Sequence, residues 1–222
     1  MKNTNTLPVM ESFYTIQGEG YYQGSAAYFI RLGGCDVGCV WCDVKDSWDA
    51  ATHPQYTVSK IVEEALGSLP LTINRQQTAD NSQRLTVNHN VIAVITGGEP
   101  LMHHLDELTN SLKAKGFRTN IETSGSSPLS GNWDWICLSP KKFKAPLPEV
   151  IPFANELKVV IFNKHDFEWA ETYAAQVSAS CKLYLQPEWD KASIVTPLII
   201  DYIKSNPKWE LSLQLHKYIN VP

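Results

Sequence analysis

Three cysteines fall within eight residues, Cys35-Asp36-Val37-Gly38-Cys39-Val40-Trp41-Cys42, directly after an apolar run that ends Arg31-Leu32-Gly33-Gly34. The spacing points to a fold that ends a strand in a loop able to turn three thiols toward one place. Three is the informative count, because a closed structural zinc site takes four protein ligands, whereas a four-iron cube held by three cysteines keeps one iron open. The glycines at 33, 34 and 38 let backbone wrap closely around a bulky group, and Val40 and Trp41 are placed to shield it from water. A zinc knuckle completed by His53 or Cys137, or three ordinary buried thiols, stays open on spacing alone.

An open iron gives the triad a chemistry. S-adenosylmethionine can chelate it through amino and carboxylate groups, and one electron then cleaves the sulfonium to a 5′-deoxyadenosyl radical. Five cysteines with three clustered suit a reducing compartment better than a disulfide framework. The N-terminal Met1–Thr6 lacks the apolar run of a signal peptide, and no stretch approaches a membrane span, so a cytoplasmic protein is expected. The formal net charge of −4 sets up no field for nucleic acid or an anionic membrane, which favours a small-molecule partner. Cys137 and Cys181 read as buried, inert thiols.

At 222 residues, 43% of them hydrophobic, the chain suits a single domain over 1–222, with a polar surface loop or insertion at 70–90. Strands are predicted at Ala26–Leu32, Val91–Thr96, Phe117–Glu122, Trp135–Leu138, Leu157–Phe162, Leu183–Gln186 and Glu210–Leu215. Helices are predicted at Val58–Leu69 behind Thr57 as N-cap, Leu105–Lys115 closed by Gly116, Asp166–Ala179, and Ala192–Lys204 before Pro207. The recurring strand–helix–strand order predicts an α/β fold with a mostly parallel sheet.

Several blocks then carry a resemblance. They include Gln17-Gly18-Glu19-Gly20 near the start, Phe29-Ile30-Arg31-Leu32, Cys42-Asp43 with Trp48, and Thr96-Gly97-Gly98-Glu99-Pro100. Glu122-Thr123-Ser124-Gly125, Ser139-Pro140-Lys141, Glu156-Leu157-Lys158, Gln186-Pro187 and His216-Lys217-Tyr218 follow. Together they resemble the radical S-adenosylmethionine superfamily and, within it, the 7-carboxy-7-deazaguanine synthase family, over nearly the whole chain apart from the 70–90 loop. The triad and Gly-Gly-Glu-Pro indicate the superfamily; the Gln-Gly-Glu-Gly opening and the His-Lys-Tyr close single out the family. The resemblance implies a modified, incomplete radical-enzyme barrel with fewer helices than strands, working as a homodimer. It implies conversion of 6-carboxy-5,6,7,8-tetrahydropterin to 7-carboxy-7-deazaguanine with loss of ammonia, on the way to queuosine, with a reducing donor such as flavodoxin or ferredoxin. The alternatives are another radical enzyme, such as a glycyl-radical activase, or a zinc-stabilised binding module.

Roles follow residue by residue. Cys35, Cys39 and Cys42 are assigned to a [4Fe–4S] cluster. Gly98, with glycine-exposed backbone at a strand end, is assigned to S-adenosylmethionine, together with Ser124, Ser139, Pro140 and Lys141. Gln186, Pro187, Glu188 and Trp189 are its adenine-contacting turn by resemblance; Lys158 is a further cation for a cofactor or substrate carboxylate. For a flat pterin bearing one carboxylate, Ile16, Gln17, Gly18 and Glu19 supply amide and backbone partners, and Arg31 a bidentate carboxylate clamp, with a structural ion pair as its rival. Thr96 is a substrate residue by resemblance, and Pro222 sits close enough behind His216 and Lys217 to touch the pterin edge.

One position departs from the family. A hydroxyl residue two places after the third cysteine commonly contributes to a Mg²⁺ site with the substrate carboxylate, and here that residue is Val44. Mg²⁺ requires hard oxygen donors. Asp43, Asp46 or Ser47 would have to compensate, or Lys45 would replace the charge, or substrate and waters alone would hold the ion; weak or absent Mg²⁺ dependence is expected.

Overall fold

The parallel strands of this chain carry alternating apolar residues whose burial on one side builds the core. In the computed structural model, which describes residues 6–40, 42, 44–70, 75–77, 83–85 and 91–222, the chain begins with β1 (Thr6–Ile16), β2 (Ala26–Leu32) and β3 (Gln55–Thr57). Then come α1 (Val58–Gly67), a two-stranded pair β4 (Arg75–Gln77) and β5 (Gln83–Leu85), β6 (Ile92–Gly97) and α2 (Asp106–Ala114). The second half runs β7 (Arg118–Thr123), β8 (Trp135–Leu138), β9 (Glu156–Ile161), α3 (Asp166–Ala174), β10 (Lys182–Pro187), α4 (Ala192–Ser205), β11 (Trp209–Leu211) and α5 (Leu215–Ile219). One sheet holds nine of the strands in the order β11-β10-β9-β8-β7-β6-β2-β1-β3. Every neighbouring pair from β2 to β11 is parallel, while β1 runs antiparallel to both β2 and β3. This is the expected mixed α/β fold with a mostly parallel sheet that stays open, its edges being β3 and β11.

In β9, Leu157, Val159 and Ile161 are fully buried against Phe167 of α3 and Val195 and Ile199 of α4. Ala93 and Ile95 of β6 and Ile121 of β7 do the same against Ile61 of α1 and Leu108 and Leu112 of α2. Each such Leu or Ile contributes roughly 2 kcal/mol by leaving water. Intervening residues point to the other face, where β6 offers Ile92 and Val94 to Phe29 but β9 offers Glu156 and Lys158. The Thr57 hydroxyl accepts from the Lys60 amide at 3.3 Å and starts α1, as predicted. Gly116, at φ 92°, turns the chain out of α2 in a conformation that favours glycine.

Some elements differ from expectation. The eleven-residue β1 was not predicted; its buried Leu7 and Val9 flank Pro8, and its central residues are only half-buried, which blurs the alternation. The strand expected at Glu210–Leu215 ends at Leu211: the Leu215 amide donates to Gly18 O at 2.9 Å and the chain coils into α5. α3 ends at Ala174 rather than Ala179: the Gln176 and Val177 amides both close onto Tyr173 O, and a separate turn follows from Ser178 to Cys181. The 70–90 segment carries β4 and β5, which pair only with each other; residues 71–74, 78–82 and 86–90 lie outside the described residues. Among the described residues no helix is long and apolar enough to cross a membrane.

Candidate functional site

At the carboxyl ends of the parallel strands lies a cavity of about 720 Å³, the position where open α/β sheets place ligands. The cysteine loop forms one wall. Gly34 N donates to Ser47 O at 2.6 Å and Cys35 N to Trp48 O at 3.1 Å, so the turn at 44–48 lies alongside the start of the triad. Gly98 N donates to Leu32 O and Glu99 N to Gly34 O, both at 2.8 Å. A Cβ at Gly98 would collide with the Gly34 carbonyl and crowd Cys35, so only glycine lets the two loops approach this closely.

All three thiols line the cavity. Cys39 is buried, Cys35 and Cys42 are half-buried, and burial raises the pKa of Cys35 and Cys39 above the ordinary thiol value. The donor set fits a four-iron cluster: three soft sulfurs on one loop, drawn from one wall, beside backbone kept open by glycine. Among the described residues no three His, Cys, Asp or Glu side chains converge on one ion position; a cube takes each thiolate on a different iron. The proposed fourth zinc ligands lie elsewhere. His53 packs on Gly33 with its ring nitrogen against Asp46 O at 2.8 Å, and Cys137 is buried beside Glu156 and Lys158; neither lines the cavity. Val40 is 66% exposed and so does not shield the loop, and Trp41 lies outside the described residues.

The expected cofactor residues surround this wall. Gly98, Ser124, Ser139 and Lys141 line the cavity, and Lys141 Nζ donates to Ser139 Oγ at 2.7 Å; Pro140 is buried and does not line it. The Ser124 hydroxyl is engaged by Glu99, which is 1% exposed and also accepts from Thr123 Oγ1, Ser124 N at 2.8 Å and Leu101 N at 3.1 Å. Glu99 therefore fastens the β6 end to the β7 end, a buried carboxylate satisfied by hydrogen bonds alone. Gln186, Pro187, Glu188 and Trp189 line the opposite side. Gln186 Oε1 accepts from Ser212 at 2.9 Å, Glu188 caps the following turn through Lys191 N at 3.0 Å, and Lys217 sits over the Trp189 ring.

The expected substrate residues Ile16, Gln17, Gly18, Arg31, Thr96 and Pro222 also line the cavity. Arg31 does two things: it pairs with Glu11 at 2.9 Å and lies over the Phe13 ring, so the structural ion pair is present while the residue faces the cavity. A Cβ at Gly18 would collide with the His216 ring, whose pKa burial lowers, with Lys217 and Arg31 acting in the same direction against Glu19.

Glu122, half-buried, gathers three of the wall residues. Gln17 Nε2 donates to it at 3.0 Å, Thr96 Oγ1 lies at 3.5 Å, and Lys158 Nζ at 3.6 Å. Lys158, 5% exposed at its side chain, also pairs with Glu19, which Gln214 holds from the other side at 3.0 Å. Burial would push the Lys158 ammonium down, but Glu122 and Glu19 hold its pKa well above the ordinary lysine value. Burial would likewise raise Glu19, yet Lys158 and the bonds from Lys158 and Gln214 bring it to about 2. Lys158 is thus committed to two protein carboxylates rather than offered to a ligand. Sequence reasoning gave Glu122 no role of its own, although its place beside Arg118 and Asn120 on one face of a buried parallel strand is a signal.

The donor set at position 44 does not fit Mg²⁺. Val44 lines the cavity with methyl groups, and its carbonyl accepts from Ser47 N at 3.0 Å and Ser47 Oγ at 2.6 Å. Asp46 does not line the cavity, and Asp43 lies outside the described residues.

Comparison with known proteins places this architecture. A curated relative named 7-carboxy-7-deazaguanine synthase, from Flavobacterium psychrophilum, is 52% identical over 216 residues, covering 97% of this chain and 93% of its own length. One of the same name from Synechocystis is 44% identical over 98% of this chain and 95% of its own. The crystal structure of QueE from Escherichia coli matches with a TM-score of 0.75 at 30% identity, over 95% of both chains. No family model matches.

Proposed function

The chain belongs to the 7-carboxy-7-deazaguanine synthase family and is an enzyme of 7-deazapurine biosynthesis; from that premise we propose that it works as a radical S-adenosylmethionine carbon–nitrogen lyase. It converts 6-carboxy-5,6,7,8-tetrahydropterin to 7-carboxy-7-deazaguanine and ammonia. The observation that carries this reading is a single cavity in which the three thiols of the triad and the residues facing a pterin meet.

Cys35, Cys39 and Cys42 hold the [4Fe–4S] cluster. Held there and reduced by a carrier such as flavodoxin or ferredoxin, such a cluster would supply one-electron cleavage of S-adenosylmethionine. The remaining chemistry belongs to the chain. Gly98 leaves backbone open for the methionine end, and Ser139 and Lys141 present a hydroxyl and an ammonium on the same wall. The Gln186–Trp189 turn receives the adenine. Arg31 takes the pterin carboxylate, and Gln17 and Thr96, oriented by Glu122, meet the donor and acceptor edge of the ring. Burial of this floor excludes water from the reacting carbon. By family resemblance the enzyme is a cytoplasmic homodimer.

The test is anaerobic cluster reconstitution, then reduction with S-adenosylmethionine and the carboxytetrahydropterin, with mass spectrometry of the product. A deazaguanine carboxylate is expected. Formation of 5′-deoxyadenosine without it would leave the radical chemistry and remove the substrate.

A further inference from the structure

We propose that this chain binds the substrate carboxylate with the Lys45 ammonium in place of a divalent cation. The inference rests on the pterin substrate proposed above and goes beyond it by naming the counter-charge.

At position 44 the described residues present no uncommitted hard donor to Mg²⁺: Ser47 lines the cavity, but its hydroxyl donates to the Val44 carbonyl. Valine offers no oxygen from its side chain, and its carbonyl is committed twice to Ser47, itself fully buried. The next residue is a cation. Lys45 lines the same cavity, and its ammonium meets no carboxylate among the described residues. The other charges on the walls are largely spoken for. Glu19 and Glu122 share Lys158, Glu99 is satisfied by four hydrogen bonds, and Arg31 spends one nitrogen on Glu11. Of the other cavity-lining lysines, Lys217 sits over the Trp189 ring and Lys141 with Ser139 on the cofactor side.

Position supports the assignment. The 44–48 turn is bonded to Gly34 and Cys35, so it lies alongside the chain only a few residues beyond Arg31. Arg31 and Lys45 thus come to the cavity from adjoining segments, a fork and a point charge suited to one carboxylate. A lysine delivers its charge without the dehydration that Mg²⁺ resists.

The experiment is fluorescence titration of the reconstituted protein with 6-carboxypterin and with pterin, which lacks the carboxylate, in EDTA and in millimolar Mg²⁺. For the wild type, 6-carboxypterin affinity is expected to agree within about twofold in the two buffers. Lys45→Met should weaken 6-carboxypterin about tenfold, leave pterin within about twofold, and retain its iron and circular dichroism; Lys45→Arg should recover most of the loss. Val44→Thr in the Lys45→Met background should acquire a Mg²⁺ response. More than fivefold tightening of the wild type by Mg²⁺, or equal loss of both ligands in Lys45→Met, would overturn the proposal while leaving the pterin reading intact. Failure of either pterin to bind at millimolar concentration would defeat the substrate reading, and this proposal with it.

Discussion

The two faces of β9 are one residue apart and chemically opposite. Leu157, Val159 and Ile161 pack on α3 and α4 with no polar atom to satisfy, while Glu156 and Lys158 face the concave side, where Trp135, Tyr21, Glu19 and Glu122 meet them. On the helix face, dispersion and dehydration stabilise, and errors cost in proportion to the volume lost. On the concave face, burial of charge is costly by itself, and only a complete set of partners offsets it. The strand is thereby held by its back and available for chemistry on its front.

That contrast can be broken at several depths. The largest effect is expected outside the sheet, where Cys39→Ala removes a thiol from the cavity wall: reductive cleavage of S-adenosylmethionine should fall below detection while the far-ultraviolet circular dichroism is kept. If cleavage survives, the triad is not the cluster site. Next comes Lys158→Met, which leaves the half-buried Glu19 and Glu122 without their cation. A loss of about 3–5 kcal/mol in urea unfolding at pH 7 is expected, together with weakened pterin binding. Leu157→Ala, one residue away on the other face, should cost about 2–4 kcal/mol but leave the KM of the folded enzyme nearly unchanged. Equal damage to KM by both would erase the distinction between the faces.

The pH dependence sharpens it further. Glu19 has a folded pKa of about 2 against an ordinary 4.5. Its contribution is therefore present above about pH 4.5 and lost as pH falls toward 2. Unfolding midpoints measured across this window should decline in the wild type and decline less steeply in Lys158→Met, where the depressing charge is gone. The smallest effect is at the edge of the helix layer: Thr57→Ala deletes the α1 cap and should cost about 1 kcal/mol with no change in turnover.

The helix face was the more legible of the two. β2 and β8 start and end where the apolar runs do, and Thr57 and Gly116 mark helix ends by chemistry that acts over three or four residues. β1 is not legible because its half-buried centre blurs the alternation, and the end of β11 because Leu215 bonds to Gly18, far earlier in the chain. Site residues were legible as types at strand ends, since glycine, lysine and cysteine announce what they can do. The pairing among them was not. Nothing local says that Lys158 answers Glu19 and Glu122 rather than a ligand, or that the Ser124 hydroxyl is taken by Glu99.

The contact of Gly18 with His216 has a consequence in time. Gly18 O receives the Leu215 amide, Gly20 N donates to Ser212, and Glu19 accepts from Gln214, so the Gln-Gly-Glu-Gly loop is clasped by a segment made much later in synthesis. Closing so long a loop is slow, and it precedes any stabilisation the clasp gives. A nascent chain can form β2, β6 and the cysteine loop while this floor is still missing. The thiols are thus presented to an assembling cluster through an open underside, and the floor shuts only once Ser212, Gln214 and Leu215 have been made.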